Sequence, residues 1–269
     1  MILGLEYAFM RQALLAACSI GAAAAAVGYF VTLRRQTFAA HALSHIGFAG
    51  AAGAIVLGLS AYLGLFAFTL AAGVGLALAG RRLRQRDVGI GMVLMFALGL
   101  GILFLSLYTR NAQSAMSMLF GSIVGISAAQ ARLSLLVAAG AVLGLALIYR
   151  PLCLASLNPD MARTRGVPVN LLDLLFALLL AATVAVAVPV IGALLIFAFL
   201  VGPPAAAQAL TRRLGPGVLL SMLLGVGLAC AGLGASYAIG WPASTWIAAL
   251  SFLLYLAAQG WRALRDRLG

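Results

Sequence analysis

Residues 174–211, LLFALLLAATVAVAVPVIGALLIFAFLVGPPAAAQALT, form a stretch of 38 residues without a charged side chain. The hydrocarbon core of a bilayer is about 30 Å thick, and one helix crosses it with roughly 20 apolar residues at 1.5 Å per residue. The stretch is therefore long enough for two membrane-spanning helices. Pro189 lies near its middle and is the predicted break between them, because proline disfavours a continuous helix.

The composition of the whole chain also indicates a membrane protein. Of its 269 residues, 65% are hydrophobic and 8% are charged, whereas soluble domains carry about 25% charged residues. Further uncharged stretches cover residues 12–33, 36–80, 88–109 and 214–261. The pattern predicts an all-α, polytopic integral membrane protein of eight to nine transmembrane helices, with residues 1–269 as a single transmembrane domain.

The N-terminal apolar run has a second interpretation, which is a secretory signal peptide. The run is too long for one, its early charges are Glu6 and Arg11, and an arginine pair follows it at Arg34 and Arg35. A retained first span is therefore the better prediction.

The three cysteines do not suggest a disulfide framework or a metal motif. Cys18, Cys153 and Cys230 are odd in number, far apart in sequence and without a Cys-x-x-Cys pair. We expect them to be packing residues.

The net charge of +12 comes from arginines in short turns between the predicted spans, not from one contiguous basic face, so nucleic-acid binding is not indicated. Cytoplasmic loops of membrane proteins are rich in Lys and Arg, and an even number of predicted spans separates successive arginine clusters. All the clusters are therefore expected on the cytoplasmic side. They are Arg81, Arg82, Arg84 and Arg86; Arg150, Arg163 and Arg165; Arg212 and Arg213; and Arg262, Arg265 and Arg267.

The same reasoning places the remaining segments. A break near residues 58–64 divides the stretch 36–80 into a hairpin, so Arg34 and Arg35 are also cytoplasmic and the N-terminus is outside. The later predicted spans cover residues 88–108, 133–149, 171–188, 190–210, 218–239 and 243–260. Residues 111–131 are too polar for a span and are expected to form an external or partly re-entrant helix.

Both histidines of the chain lie in the sequence HALSHIGFAG, residues 41–50. His41 and His45 are four residues apart, so a helix presents them on one face, about 9 to 15 Å beyond Arg35 and inside the hydrocarbon. Ionisable residues at such depth usually line a pathway or a binding site. Two neutral imidazoles suit zinc better than calcium or magnesium, although zinc normally takes about four ligands. The alternative is that each imidazole bonds the backbone of a neighbouring helix.

A short helix with its own capping residues is predicted between two spans. Asn158 is suited to the N-cap, Pro159 to the first helical position and Gly166 to the C-terminal stop. An ordinary cytoplasmic turn needs no such caps. A docking element for a soluble partner is therefore the preferred interpretation.

These motifs together resemble the membrane permease of zinc and manganese ABC importers, the ABC-3 family. Members carry a stretch like Asp-Ala-Leu-Ser-His-Ala-x-x-Pro-Gly after a first span that ends in arginine, and this stretch resembles residues 41–50. The family's aspartate and histidine are thought to line the metal path and fall on His41 and His45. Here the aspartate is replaced by histidine and the family proline by Ala49, and an imidazole in place of a carboxylate favours zinc over manganese.

Two cytoplasmic elements and one acidic position near the start of a span carry the same resemblance. Asp87-Val-Gly-Ile-Gly is similar to the family's Asp-x-x-Ile-Gly at a helix start, where a carboxylate also suits the helix dipole. Asp87 is a candidate charged residue of the path or of an interface. Asp173 matches an acidic position common in the family and is expected to pair with a nearby arginine, with metal contact as the minor alternative. The capped stretch resembles the coupling helix that docks on the ATPase, with Asn158, Pro159, Asp160, Met161, Ala162, Arg163 and Gly166 as its residues.

The resemblance implies a single permease domain, similar to type II ABC importers, in the inner membrane of a bacterium. Two permease copies, two ATP-binding cassette subunits and an extracytoplasmic metal-binding protein would form the importer, with Zn²⁺, or else Mn²⁺, as cargo and no tightly bound cofactor. The chain has no Gly-x-x-x-x-Gly-Lys phosphate loop, and Ala42 occupies the place of the glutamate in a His-Glu-x-x-His protease motif. An enzyme is therefore not expected.

Two other functions fit parts of the sequence. An ATP-independent metal carrier or channel would also use an intramembrane His-x-x-x-His pair, but it would give the capped helix at residues 158–166 no purpose. An ABC permease for a metal chelate, such as a siderophore or a vitamin, would keep the docking helix, but it would not need the histidine pair.

Overall fold

The computed structural model describes residues 6–78, 86–107, 121 and 125–268. These residues contain ten α-helices and no β-strand. The helices are α1 (Ala8–Leu33), α2 (Thr37–Val56), α3 (Ala61–Leu78), α4 (Arg86–Leu107), α5 (Ala128–Leu157), α6 (Pro159–Thr164), α7 (Val169–Ile191), α8 (Ile196–Leu210), α9 (Leu214–Ile239) and α10 (Ala243–Leu268). Most of the predicted external segment, residues 111–131, lies outside the described residues.

Eight of these helices are long and apolar enough to cross a membrane, and α8 is a shorter apolar helix. The prediction of an all-α protein with eight to nine transmembrane helices is therefore confirmed. The predicted hairpin is also present, because α2 ends at Val56 and α3 begins at Ala61.

The predicted break at Pro189 is wrong. Helix α7 continues through Pro189 to Ile191 and ends at Gly192, which has a φ of 101°. A proline in the last turn removes only one backbone hydrogen bond of the helix, whereas a positive φ is open to glycine and ends the helix. As a result α8 begins at Ile196 and has 15 residues, fewer than the span predicted over residues 190–210.

The directions of packed helices place the described arginine-rich ends on one side of the bundle. Helix α1 is antiparallel to α9, since Cys18 lies beside Cys230 and Gly21 beside Gly225. Helix α1 is parallel to α5, α2 is parallel to α4, and α8 is parallel to α10. Helix α7 is antiparallel to α5. The side where α1 ends and α2 begins is therefore also the side of the loops at residues 158–168 and 211–213, in agreement with the predicted topology.

Helices α1, α2 and α7 form the interior of the bundle, and α3, α4 and α10 present most of their side chains outwards. The aromatic centre of the core is built from Tyr29 and Phe30 of α1, Phe176 of α7 and Phe199 of α8. Small residues let the helices approach closely around it, and membrane helices commonly pack in this way.

A glycine crossing fixes α2 against α3. A Cβ on Gly64 would lie 2.1 Å from the carbonyl oxygen of Gly50. The same contact continues one turn away, where a Cβ on Gly47 would lie 2.4 Å from the Oγ1 of Thr69. Because this contact is backbone to backbone, it sets the position of α2, which carries both histidines.

Candidate metal site and cytoplasmic docking helix

The first half of α2 brings His41 and His45 together. Their ring centroids are 4.7 Å apart and their planes are inclined by 81°. His45 is buried, with 6% of its surface exposed, and His41 is partly buried. Neither Nδ1 atom has a hydrogen-bond partner among the residues that the structure describes. A nitrogen of a neutral imidazole that carries no proton has a lone pair for a cation.

Apolar and already satisfied groups surround the pair. The ring of Phe197, at the start of α8, has its centroid 5.1 Å from that of His41. The Ser44 hydroxyl donates a hydrogen bond of 2.7 Å to the carbonyl oxygen of His41. Within the described ranges, no three His, Cys, Asp or Glu side chains come together as a possible metal site. One chain therefore offers two nitrogen ligands at this place.

Helix α6 has the predicted caps. The Oδ1 of Asn158 accepts a hydrogen bond of 3.0 Å from the backbone N–H of Met161, and Pro159 is the first helical residue. Gly166 has a φ of 76° just beyond the end of the helix. These are the features of a short helix that is specified by its own sequence.

The two faces of α6 differ. Ala162 is fully buried against Ala155 of α5 and against Val169 and Leu172 of α7. The opposite face exposes 47% of Met161. Asp160 and Arg163 form an ion pair of 3.4 Å that is also exposed. The helix is therefore anchored on one side and presents both apolar and charged groups on the other.

Asp173 forms a partly buried ion pair with Arg34. Arg34 is the C-cap of α1, and 3% of its side chain is exposed, compared with 19% for Asp173. Its Nη2 donates to Oδ1 of Asp173, and its Cζ lies 5.2 Å from the centroid of the Phe176 ring. This arrangement agrees with the pairing interpretation of Asp173.

Asp87 lies apart from this pair, in the first turn of α4, with its side chain exposed. At a helix N-terminus a carboxylate is stabilised by the helix dipole. Its role in the path or at an interface stays a prediction.

Two residues near these sites were not identified from the sequence. Phe197 is one of 13 phenylalanines in an apolar run, and nothing in the pattern connects it with His41. Gln208 of α8 donates from Nε2 to the carbonyl oxygen of Tyr29 and to Oγ1 of Thr32, at 2.9 and 2.7 Å. Its position as a rare polar side chain between apolar residues could have indicated such a helix-to-helix contact.

A bundle of long apolar helices with a short, capped and anchored helix and an imidazole pair inside the apolar helix α2 has the features of a membrane permease. Residues 6–261 match the model of the ABC 3 transport family, and the chain belongs to this family. It is therefore the permease component of an ABC transporter and not an enzyme. This membership also decides against an ATP-independent carrier or channel.

The chain is similar to known proteins over most of its length. It is 30% identical over 253 residues to the manganese import system permease protein ScaB of Streptococcus gordonii, covering 94% of this chain and 91% of that protein. It is 26% identical over 233 residues to the manganese transport system membrane protein MntC of Listeria monocytogenes, covering 87% and 83%. Among solved structures, PsaBC from Streptococcus pneumoniae in complex with Fab matches with a TM-score of 0.86 and 26% identity, covering 97% and 96% of the two chains. This match supports the fold of the whole bundle.

Proposed function

We propose that this chain is the permease subunit of an ATP-driven importer of divalent metal ions, with Zn²⁺ as its preferred cargo. The observation that carries the proposal is the pair of imidazoles inside the membrane, each with a buried Nδ1 that has no partner among the described residues. The manganese importers to which the chain is similar support a metal as the class of substrate.

Two copies of the chain form the path for the metal. A single chain offers His41 and His45, and a structural zinc site takes about four ligands. A dimer whose shared path runs beside the partly exposed His41 of each α2 brings four imidazoles towards one cation. We expect the ion to be held while the two pairs face each other and released when they separate, which suits passage better than storage.

The ligand type favours zinc. In the pattern that residues 41–50 resemble, an aspartate precedes the histidine, and here His41 takes its place. Carboxylate oxygen suits manganese, whereas imidazole suits zinc. In the general order of affinities for divalent first-row metals, manganese is the most weakly bound. His41 is therefore the residue that separates the preference of this chain from that of a manganese importer.

The partners follow from the two ends of the path. An extracytoplasmic metal-binding protein delivers the ion, and two ATP-binding cassette subunits dock on α6 of the two copies at the cytoplasmic side. Met161, which is exposed, is the apolar contact of this docking surface, and Asp160 and Arg163 are its charged contacts. The assembly lies in the inner membrane of a bacterium, surrounded by lipid.

The test is uptake into proteoliposomes that contain the chain, its ATPase and a metal-loaded binding protein. Radiolabelled Zn²⁺ and Mn²⁺ compete in the same assay, with ATP supplied on the side of α6. The variants are His41→Asp and His45→Gln, and the matched control is Ile46→Val. Ile46 is the neighbour of His45 and lines an apolar cavity between α2, α3 and α4.

We expect ATP-dependent uptake that prefers zinc in the wild type and the control. His41→Asp should shift the preference towards manganese, and His45→Gln should abolish uptake. Uptake of both metals that ignores both substitutions would contradict the role of the pair. Uptake of a metal chelate, but of neither free metal, would support the alternative function, an ABC permease for a siderophore or a vitamin.

A further inference from the structure

We propose that the partly buried Arg34–Asp173 ion pair is a positioning element that transmits the movement of the docking helix α6 to α2 and its histidines. This inference rests on the proposed function, because it assumes that α6 meets an ATPase and that His41 and His45 meet the metal. It concerns two residues that lie outside α6 and outside the histidine pair.

The first step of the connection runs from α6 to Asp173. Ala162 is fully buried and packs against Val169 and Leu172, which belong to the first turn of α7. Asp173 follows Leu172 directly. Because closely packed side chains leave little free space, a displacement of α6 moves the first turns of α7 with it.

The second step crosses from α7 to α1. Arg34 is held by the carboxylate of Asp173 and by the face of the Phe176 ring, both on α7. A guanidinium within about 6 Å of an aromatic centroid is attracted to the ring. Since the pair is partly buried, it is screened much less than a surface pair. The side chain of Arg34 is therefore expected to move together with α7.

The third step passes through the turn between α1 and α2. The backbone N–H of Gln36 donates to the carbonyl oxygen of Val31, and that of Arg35 donates to Thr32, at 2.8 and 3.1 Å. Arg35 has a φ of 54°. This is the Schellman arrangement, which closes the end of a helix tightly. A tight turn carries a displacement of Arg34 into α2, whose fifth residue is His41.

A parallel contact ties α8 to the same end of α1. Gln208 donates to the carbonyl oxygen of Tyr29 and to the hydroxyl of Thr32. Helix α8 also carries Phe197, whose ring lies against His41. Helix α2, which carries His41, and helix α8, which contacts it, are thus both fixed to the end of α1, where Arg34 lies.

A purely structural ion pair would behave differently from a transmitting one. Loss of a structural pair lowers the amount of folded complex, so metal uptake and ATP hydrolysis fall together. Loss of a transmitting pair leaves a complex that assembles, binds metal and hydrolyses ATP. Only the number of metal ions moved per ATP falls.

The experiment uses the reconstituted importer with its ATPase and binding protein. Asp173→Asn removes the charge with little change of shape, and Asp173→Glu keeps the charge. Asp266→Asn is the matched control, because Asp266 forms exposed pairs with Arg212 and Arg262 at the same side of the bundle. Zinc uptake and phosphate release are measured on the same vesicles. Zinc binding and complex assembly are measured in detergent.

In Asp173→Asn we expect zinc moved per ATP to fall by about 5- to 150-fold, the usual range of a coupling between two sites. Assembly and zinc binding should stay within about twofold of the wild type, while Asp173→Glu recovers part of the ratio and Asp266→Asn keeps all of it.

An unchanged ratio in Asp173→Asn would overturn this inference and leave the proposed function intact. So would a loss of uptake that follows the loss of assembled complex in both Asp173 variants. Absence of ATP-dependent zinc and manganese uptake in the wild type would instead overturn the proposed function, and the inference with it.

Discussion

The crossing of α2 and α3 predicts a large difference between two glycine-to-alanine substitutions in one helix. At Gly64 of α3, a new Cβ would lie 2.1 Å from the carbonyl oxygen of Gly50 and 2.5 Å from the Cβ of Ala54. At Gly75, also in α3, a new Cβ has no neighbour within 4 Å. Gly64→Ala therefore forces two backbones apart, whereas Gly75→Ala does not.

The size of the effect follows from these distances. An ordinary Cβ contact begins at 3.4 Å, so the helices must separate by about 1.3 Å at the crossing. Overpacking of this kind costs about 1–3 kcal/mol. In Gly75→Ala, alanine is the better helix former by roughly 0.5–1 kcal/mol, and no clash offsets the gain. The two variants should change the free energy of unfolding in opposite directions.

Uptake should respond to Gly64→Ala more strongly than stability does. Gly50 follows His45 by five residues, about 7.5 Å along α2. A displacement of about 1 Å in a positioned group can lower a rate by roughly 100-fold. We therefore expect zinc uptake to fall by at least tenfold in Gly64→Ala and to stay at the wild-type level in Gly75→Ala.

Thermal unfolding of the purified chain in detergent measures the first effect, and the proteoliposome assay measures the second. If the scaling of soluble domains of similar size holds, Gly64→Ala lowers the melting temperature by roughly 2–12 °C. A Gly64→Ala variant that melts at the wild-type temperature and transports normally would refute the close backbone contact. Equal losses in both variants would refute the assignment of the effect to the crossing.

Three further predictions test other parts of the fold. Oxidation by copper phenanthroline in membranes should join Cys18 to Cys230, whose sulfurs are 3.4 Å apart, and leave Cys153 free; mass spectrometry that finds both thiols alkylated would contradict the antiparallel packing of α1 and α9. Asn158→Ala removes the cap of α6 and should cost about 1 kcal/mol, seen as faster hydrogen exchange at residues 160–164, and unchanged exchange would count against the cap. Arg35→Gly relieves a left-handed backbone and should raise the free energy of unfolding by about 1 kcal/mol; a lower melting temperature would count against the strain.

The spans could be predicted from the sequence because a membrane helix is identified by one local property, the length of an apolar run. The ends of the spans were less predictable. The fifth span was expected over residues 133–149, but α5 extends from Ala128 to Leu157. A capping box between Ser127 and Gln130 begins it early, and it continues through Pro151 beyond Arg150. The charged residues were used to predict where the bilayer ends, but helix α5 continues beyond them.

The candidate site was predictable only as far as it is local in sequence. His41 and His45 share one helix face because of their spacing, and the caps of α6 lie within nine residues. Arg34 and Asp173 are separated by 139 positions, and their meeting depends on how α1 and α7 pack. Asp173 could be expected to find an arginine, but several arginines lie at the cytoplasmic side, and no local pattern selects Arg34.

The scarcity of ligands at the proposed site is itself informative about transport. A site that one chain completed alone would hold its metal while the other parts of the molecule moved, and the ion would leave slowly. In the proposed dimer, two ligands from each copy would make the number of bonds depend on the distance between the two α2 helices. The contacts that move α2, from Ala162 through the Arg34–Asp173 pair to the turn at Arg35, would then control affinity directly. Substitutions that weaken these contacts should therefore slow the release of metal at the cytoplasmic side, while the affinity of the resting importer for metal stays unchanged.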